Sequence, residues 1–170
     1  MSHSLEINGM HFGDVESNHI VQTYGTVDGA VSHRRMADMS LNTQCFGSDK
    51  LTTAISGDGV LPPGLELLDQ RTDYTLKCVG YRTLSSTLYT MASGLPGKRS
   101  DVAVIYSAWK NGVLIDWDGS SDISAETYRA TYVPEITARL VSPPKITPPQ
   151  MVNGHYEGDN WAWSLLFEEV

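Results

Sequence analysis

The amino-acid sequence predicts a mainly β protein, an antiparallel β-sandwich or barrel with short helical turns and an extended Pro-rich arm. β-branched and aromatic residues cluster in short runs, and turn signals separate these runs about every ten residues. Hydrophobic residues make up 41% of the chain and charged residues 19%, which is typical of a globular protein rather than a disordered one. A chain of 170 residues is long enough to bury a core, most simply within one domain.

The first part of the chain contains short apolar runs that end at turn residues. These runs predict strands within residues 5–12, 20–24, 43–46 and 51–56. Asp28-Gly29 lies between two short apolar pieces and indicates a hairpin.

Residues 55–69 are predicted to form a rigid corner around which the neighbouring strands are arranged. A β-prone run enters the segment, Gly57 and Gly59 turn it, and Pro62-Pro63-Gly64 follows as a brace. Nothing in this corner indicates chemistry, so its role is structural.

The alternating strand at residues 74–79 follows the corner. Tyr74, Leu76 and Cys78 fall on one face of this strand, which predicts that this face is buried. Further along, residues 83–91 fit a strand or an ordered loop.

The region after residue 91 combines an exposed loop with the clearest hairpin signal in the chain. Residues 92–100 hold Gly, Pro and cations together and predict the most exposed loop. Two apolar strands follow, at residues 102–106 and 113–117, and Asn111-Gly112 between them favours a tight hairpin turn.

Helical stretches are short, and a proline interrupts the long alternating run near the end of the chain. Residues 63–69 and 124–129 are the two stretches that look helical. Residues 127–141 alternate over much of their length, and Pro134 within them indicates an edge or a bulge.

The C-terminal part contains a Pro-rich arm followed by an aromatic strand. Residues 142–149 hold four prolines and should be extended and semi-rigid. In the final strand, Trp161, Trp163, Leu165 and Phe167 share one face, which must be buried in the core or against a partner. We therefore predict a β domain over residues 1–141, an arm over 142–150, and C-terminal strands over 151–170 that pack on the same domain or on a neighbour.

Charge and cysteine content narrow the range of partners and compartments. The net charge of −8 argues against nucleic-acid binding, which needs clustered cations. Cys45 and Cys78 allow one disulfide at most, and two buried thiols are the default in a reducing cytosol. The chain has no apolar run long enough to span a membrane, and residues 1–6 do not resemble a signal peptide, so we expect synthesis in a cytoplasm.

No residue pattern predicts a catalytic, cofactor or metal site. Residues 116–122 resemble half of a calcium loop through Asp116, Asp118 and Asp122, but Thr127 stands where the closing glutamate would be, and an acidic turn explains the pattern as well. The five histidines are scattered, and no nucleophile elbow or phosphate loop is present.

The tryptophans could form a sugar-stacking platform, but large aromatics on strands are more often core. The four tryptophans of the chain are Trp109, Trp117, Trp161 and Trp163.

Several sequence motifs between residues 34 and 80 resemble a known family. They are Arg35-Met36-Ala37-Asp38, Lys50-Leu51-Thr52-Thr53, Ile55-Ser56-Gly57-Asp58-Gly59, Pro62, Gly64-Leu65, Leu68-Asp69 and the strand with Leu76 and Cys78. Together they resemble a minor tail protein of long-tailed bacteriophages, of the distal tail or baseplate type. The closing strand Trp161-Ala162-Trp163-Ser164-Leu165 is similar to the C-terminal strands of such proteins.

The resemblance implies a structural role without catalytic residues. It leads us to expect a homo-oligomeric ring at the distal end of a phage tail, around the hub and in contact with tube proteins, assembled in the host cytoplasm and carried in the virion. The low charged fraction suits a surface covered by neighbours. Two alternatives are a head-to-tail adaptor or tail terminator ring, and a carbohydrate-binding β-sandwich for host recognition. A cell-wall hydrolase is a third, for which no catalytic constellation emerges.

Overall fold

The computed structural model describes residues 4–12, 19–26, 31–35, 41–45, 50–60, 64–152, 155–157 and 160–170, with backbone alone for 31–35, 41–45, 150–152 and 155–157. Strands make up 52% of the structure and helix 7%. Most strands lie in two antiparallel sheets, and the described residues form no closed barrel, which confirms the predicted mainly β class in its sandwich form. No helix in these ranges is both long and apolar enough to cross a membrane.

The described residues form sixteen strands and two short 3-10 helices, Leu65–Leu67 and Tyr89–Gly94. The strands are β1 (Glu6–Ile7), β2 (Met10–His11), β3 (Val21–Thr26), β4 (Val31–Arg35), β5 (Leu41–Cys45), β6 (Leu51–Gly59), β7 (Asp73–Lys77), β8 (Arg82–Ser86), β9 (Ile105–Lys110), β10 (Val113–Asp116), β11 (Thr127–Tyr132), β12 (Glu135–Leu140), β13 (Lys145–Thr147), β14 (Gln150–Val152), β15 (His155–Glu157) and β16 (Trp161–Glu169).

The chain divides into two compact units. The first contains Met1–Phe12 and Thr75–Ile136, and the second contains Gly13–Tyr74 and Thr137–Val170. The division at residues 141 and 150 that the sequence suggested stays a prediction.

In the first unit, β1 pairs with β2 and β7, and a four-stranded sheet has the order β10-β9-β11-β8. One face of the four-stranded sheet is packed around Ala108, Trp117 and Tyr128. The rings of Trp117 and Tyr128 lie 4.6 Å apart between centroids, and such aromatic pairs add to the energy of simple burial.

A buried arginine holds three backbone segments of the first unit together. The Arg99 side chain is 3% exposed, and its guanidinium donates from Nε and Nη2 to the two carboxylate oxygens of Asp101, at 3.0 and 2.7 Å. Its Nη1 donates to the carbonyls of Ser4 and Cys78, at 3.1 and 2.6 Å. The prediction that residues 92–100 form the most exposed loop is therefore wrong at Arg99, because a charge can be buried when its donors are paired.

In the second unit, β16 is the strand on which the others are assembled. It pairs with β6 along most of its length on one side, and with β12 and then β13 on the other, while β3 pairs with the far side of β6. Trp163, Leu165 and Phe167 are buried, so the predicted apolar face is confirmed. Lys145–Thr147 of the Pro-rich segment pairs with β16, and β4–β5 and β14–β15 form separate two-stranded pairs.

The predicted corner at residues 55–69 is wrong in its first half. Gly57 and Gly59 lie within β6 and pair with Trp163 and Trp161 of β16 instead of turning the chain. A Cβ atom at Gly57 would lie 2.5 Å from the Trp163 ring, so the glycine is needed for close packing and not for a turn.

Of the other local predictions, some are confirmed by the structure and some are wrong. The Asn111-Gly112 hairpin is confirmed, with positive φ at both residues (53° and 74°) and Lys110 paired with Val113. The strand predicted at residues 102–106 begins only at Ile105. The helix at residues 124–129 is wrong, because β11 begins at Thr127.

The remaining local predictions were met more closely. Tyr74, Leu76 and Cys78 are buried as expected, and Pro134 separates β11 from β12. Of the stretch 63–69 that looked helical, the described residues 64–69 contain one 3-10 turn, Leu65–Leu67. The Asp28-Gly29 hairpin lies outside the described residues.

The contact between Gly57 and Trp163 predicts that Gly57→Ala destabilises the protein. The added methyl group meets the indole ring, and overpacking of a fitted core costs about 1–3 kcal/mol. The matched control is Gly64→Ala, because nothing lies within 4 Å of a Cβ at Gly64 and its φ is −71°. Urea unfolding should show a lowered midpoint for Gly57→Ala alone, and equal midpoints would contradict the packing argument.

The ion pair between Arg99 and Asp101 predicts a specific dependence of stability on pH. Hydrogen bonds from Arg99 lower the pKa of Asp101 from its ordinary 3.8 to about 2. Asp101 therefore stabilises the fold above pH 4, and this contribution is lost as the pH falls through about 2. Urea midpoints measured between pH 5 and pH 2 should separate wild type from Asp101→Asn at pH 5 and converge toward pH 2. Parallel profiles would contradict the assignment.

Candidate functional site

The four-stranded sheet of the first unit presents a polar face opposite its buried one. Residues of β11 alternate, with Tyr128, Ala130 and Tyr132 buried and the residues between them partly exposed. Because successive side chains point to opposite faces, the pairing of the strands assigns each residue to a face. We call the solvent-facing side the outer face. It consists of Thr83, Ser85, Ile105, Ser107, Trp109, Leu114, Asp116, Thr127, Arg129 and Thr131.

Arg129 lies at the centre of the outer face. It pairs across the strands with Ser107 on one side and Ser85 on the other, and Ser107 pairs in turn with Asp116. The Nε atom of Arg129 is buried and has no hydrogen-bond partner in the described part of the chain. A buried donor without an acceptor costs about 1–3 kcal/mol, so a native structure keeps one where a ligand or another role accounts for it.

The rows on either side of Arg129 differ in character. One row is apolar and aromatic, with Trp109 between Leu114 and Thr127. The other contains hydroxyl groups, and the Oγ1 atoms of Thr83 and Thr131 are hydrogen-bonded at 3.0 Å. Leu114 is half exposed and Trp109 partly buried, so the aromatic row is open to a ligand or a partner.

The two outermost strands of this sheet, β10 and β8, each pair with one neighbour among the described residues. Strand β10 exposes 59% of Val113 and 50% of Leu114. Native proteins commonly protect an open edge with short length, charged side chains, proline or a bulge; β10 is only four residues long and ends in the charged Asp116, and its apolar residues Val113 and Leu114 remain exposed.

The acidic turn after β10 uses its carboxylates within the turn itself. Asp118 accepts hydrogen bonds from the backbone N–H and the hydroxyl of Ser120, which lower the pKa of Asp118. Asp122 accepts from the Tyr128 hydroxyl and from the Ser124 N–H, and these bonds lower the pKa of Asp122 in that order. The indole N–H of Trp117 donates to the Ser121 carbonyl at 2.8 Å and closes the turn.

These contacts favour the acidic-turn interpretation of residues 116–122 over a calcium loop. No group of three or more His, Cys, Asp or Glu side chains suited to a metal ion occurs in the parts of the chain that the structure describes. The carboxylates of Asp118 and Asp122 hold the turn by hydrogen bonds to nearby backbone N–H groups, which is the ordinary use of aspartate in loops.

Among the side chains that the structure describes, the other residues considered from the sequence form no cluster suited to a metal ion. His11 lies 3.8 Å from Glu6 and His19 lies 3.6 Å from Asp58, both at exposed histidine side chains. Cys78 is buried, whereas the side chain of Cys45 lies outside the described part. Trp117 and Trp163 are core residues as predicted, and Trp109 and Trp161 are partly exposed.

A cleft of about 290 Å³ in the second unit lies beside Lys50, Arg139 and Glu169. Two of its charged groups have structural partners: Arg139 pairs with Asp73 at 2.7 Å, and a Glu169 carboxylate oxygen accepts the Leu51 N–H at 2.9 Å. These contacts tie strands together, so they explain the charges without a ligand.

Sequence reasoning considered Trp109 but missed Arg129 and the outer face as a whole. The alternation of residues 127–132 placed Arg129 on the polar side of a strand, which was a usable signal. Its neighbours Ser107 and Ser85 come from strands more than twenty and forty residues away, and only strand pairing brings them together.

Comparison of the chain with protein-family models, with curated proteins and with solved structures found no match.

Proposed function

We propose that this protein is a structural subunit of a bacteriophage tail, forming a homo-oligomeric ring at the distal tail or baseplate around the hub. The observation that carries the proposal is the open, apolar edge strand β10, with Val113 and Leu114 half or more exposed. The motifs between residues 34 and 80 that resemble minor tail proteins add the biological setting. In this proposal the chain is not an enzyme, and it resides in the virion tail after assembly in the host cytoplasm.

The geometry of the four-stranded sheet suits a closed ring. Because all pairs are antiparallel and the strands are four in number, β10 and β8 run in opposite directions. Strand β8 of one copy can therefore pair antiparallel with β10 of the next, and every copy can repeat the same contact. Such head-to-tail contacts use two different surfaces and generate rings when the rotation closes.

The hairpin register decides which backbone groups of β10 are available. Lys110 and Val113 flank a two-residue turn, and the flanking pair of such a hairpin exchanges both backbone hydrogen bonds. The N–H and C=O groups of Leu114 therefore point away from β9, toward the open edge. A neighbouring strand would satisfy these groups and cover the exposed side chains in one step.

A head-to-tail adaptor or a tail terminator ring would use the same edges. These alternatives differ from a distal ring in their position along the virion and in their neighbours, which the subunit's own geometry does not specify. The distal position is preferred because the resemblance of residues 34–80 is to distal tail or baseplate proteins.

Leu114→Pro should abolish assembly and leave a folded subunit. Proline removes the outward N–H of the open edge without removing a hydrogen bond of the β9–β10 pair. Light scattering of the purified protein and of tail-assembly extracts should show monomers for Leu114→Pro. The control Leu114→Ala keeps the N–H and should still assemble, with weaker association. Normal ring formation by Leu114→Pro would exclude this edge as the contact.

Quantitative mass spectrometry of virions and detached tails tests whether the protein is a component of a phage tail. A tail ring predicts a fixed, low copy number relative to the hub protein in both preparations. Presence in heads or at the connector alone would favour the adaptor alternative. Absence from particles would overturn the tail proposal.

A further inference from the structure

We propose that the outer face of the four-stranded sheet is a binding site for a neutral oligosaccharide. In this site Trp109 stacks on a sugar ring, Arg129 donates hydrogen bonds to sugar hydroxyls, and Asp116 accepts them. The inference goes beyond the structural role and does not depend on it, because it uses side chains on one face of the sheet and not the outward backbone groups of the edge strands.

The unpartnered donor of Arg129 is the first support. Its Nε is buried between neighbouring strands and finds no acceptor among the described residues, while Ser107 and Ser85 flank it. A guanidinium presents five N–H donors in a fixed plane, which suits adjacent hydroxyl oxygens on a ring. The Nε atom itself is covered by protein, so the terminal guanidinium nitrogens of Arg129 would donate to the saccharide hydroxyls.

The second support is the placement of a donor and an acceptor in one row. Asp116 and Arg129 are separated by the strand that carries Ser107, so their backbones lie about 10 Å apart at the usual strand spacing. Asp116 is exposed, and the ion pairs found among the described residues do not include it. A linear saccharide that lies across the strands would contact the guanidinium of Arg129, the hydroxyl of Ser107 and the carboxylate of Asp116 in turn.

The third support is the aromatic row beside them. Trp109 is diagonal to Arg129 on the adjacent strand, at about 7–8 Å, within reach of a large side chain. Its indole is partly exposed between Leu114 and Thr127. An indole combines a large apolar surface with a polar N–H, so it can pack on the apolar side of a sugar ring.

The composition of the face favours a neutral sugar over other ligands. Half of the ten residues of the outer face are Ser or Thr, which are depleted or neutral at the centre of protein interfaces but suit hydroxyl ligands. Arg129 and Asp116 cancel in charge, and the chain as a whole carries −8, which disfavours an anionic polymer. Nucleic acid would require several clustered cations.

Titration of the purified protein with defined oligosaccharides tests the proposal. The probes are maltohexaose, cellohexaose, mannohexaose and N-acetylchitohexaose, with tetragalacturonate as the acidic counterpart. At least one neutral probe should quench or shift tryptophan fluorescence saturably, with a Kd in the millimolar range or tighter, and tetragalacturonate should bind more weakly.

A series of variants distinguishes binding at the outer face from nonspecific binding of sugars elsewhere on the protein. Arg129→Gln should weaken binding of the responding probe about tenfold, as expected for loss of a good hydrogen-bond donor. Asp116→Asn should weaken binding of the same probe as well. Because Asp116 is exposed, this variant should fold and can test the site even if Arg129→Gln does not fold. The matched control is Arg71→Gln, which removes one exposed cation outside the outer face and should leave binding unchanged. Trp109→Phe should reduce the fluorescence response.

Three outcomes would overturn the proposal: no saturable response to any neutral probe, stronger binding of tetragalacturonate than of all neutral probes, or equal affinity of wild type, Arg129→Gln and Asp116→Asn. Each of these results is distinguishable from failure of the tail proposal, which is read from particle composition and from assembly of Leu114→Pro. A ring subunit without sugar binding would retain the structural role alone.

Discussion

The first unit is held together by a buried charge that makes four hydrogen bonds. Arg99 is the one charged side chain that is buried among the described residues, and its guanidinium joins the Ser4 carbonyl, the Cys78 carbonyl and the Asp101 carboxylate. These partners fix the N-terminal segment against the end of β7. Removal of the cation would take this donor from the buried Cys78 carbonyl, which is why such a residue holds structure rather than chemistry.

An antiparallel sheet of four strands necessarily ends in two edges, and this constraint links the fold to both proposals. Strands β10 and β8 leave backbone groups unpaired within the described chain, while the middle strands β9 and β11 are paired on both sides. The edges offer directional backbone hydrogen bonds that suit a second copy of the chain. The outer face instead offers side chains from all four strands, with Arg129 on β11. Assembly would use backbone groups of the edge strands, ligand binding would use side chains of the outer face, and Leu114 belongs to both surfaces.

The sequence predicted elements well where one residue type dictates the local conformation. Asn111-Gly112 produced the hairpin because both residues tolerate positive φ, and Pro134 broke a long alternating run because it cannot donate to a ladder. It failed at Gly57, where glycine is required by the Trp163 ring more than one hundred residues away. It also failed at Arg99, whose burial depends on carbonyl groups from two other segments. In both cases the deciding contact is distant along the chain.

The sequence by itself determined the mainly β class, the tight hairpin and the apolar face of β16, because alternation and turn chemistry act over a few residues. Only the tertiary structure decided which strands are neighbours, and with that which strands remain open at an edge. It likewise decided that Arg129, Ser107, Asp116 and Trp109 share one face. Strand pairing joins segments far apart in sequence, and local residue preferences do not encode the choice of partner.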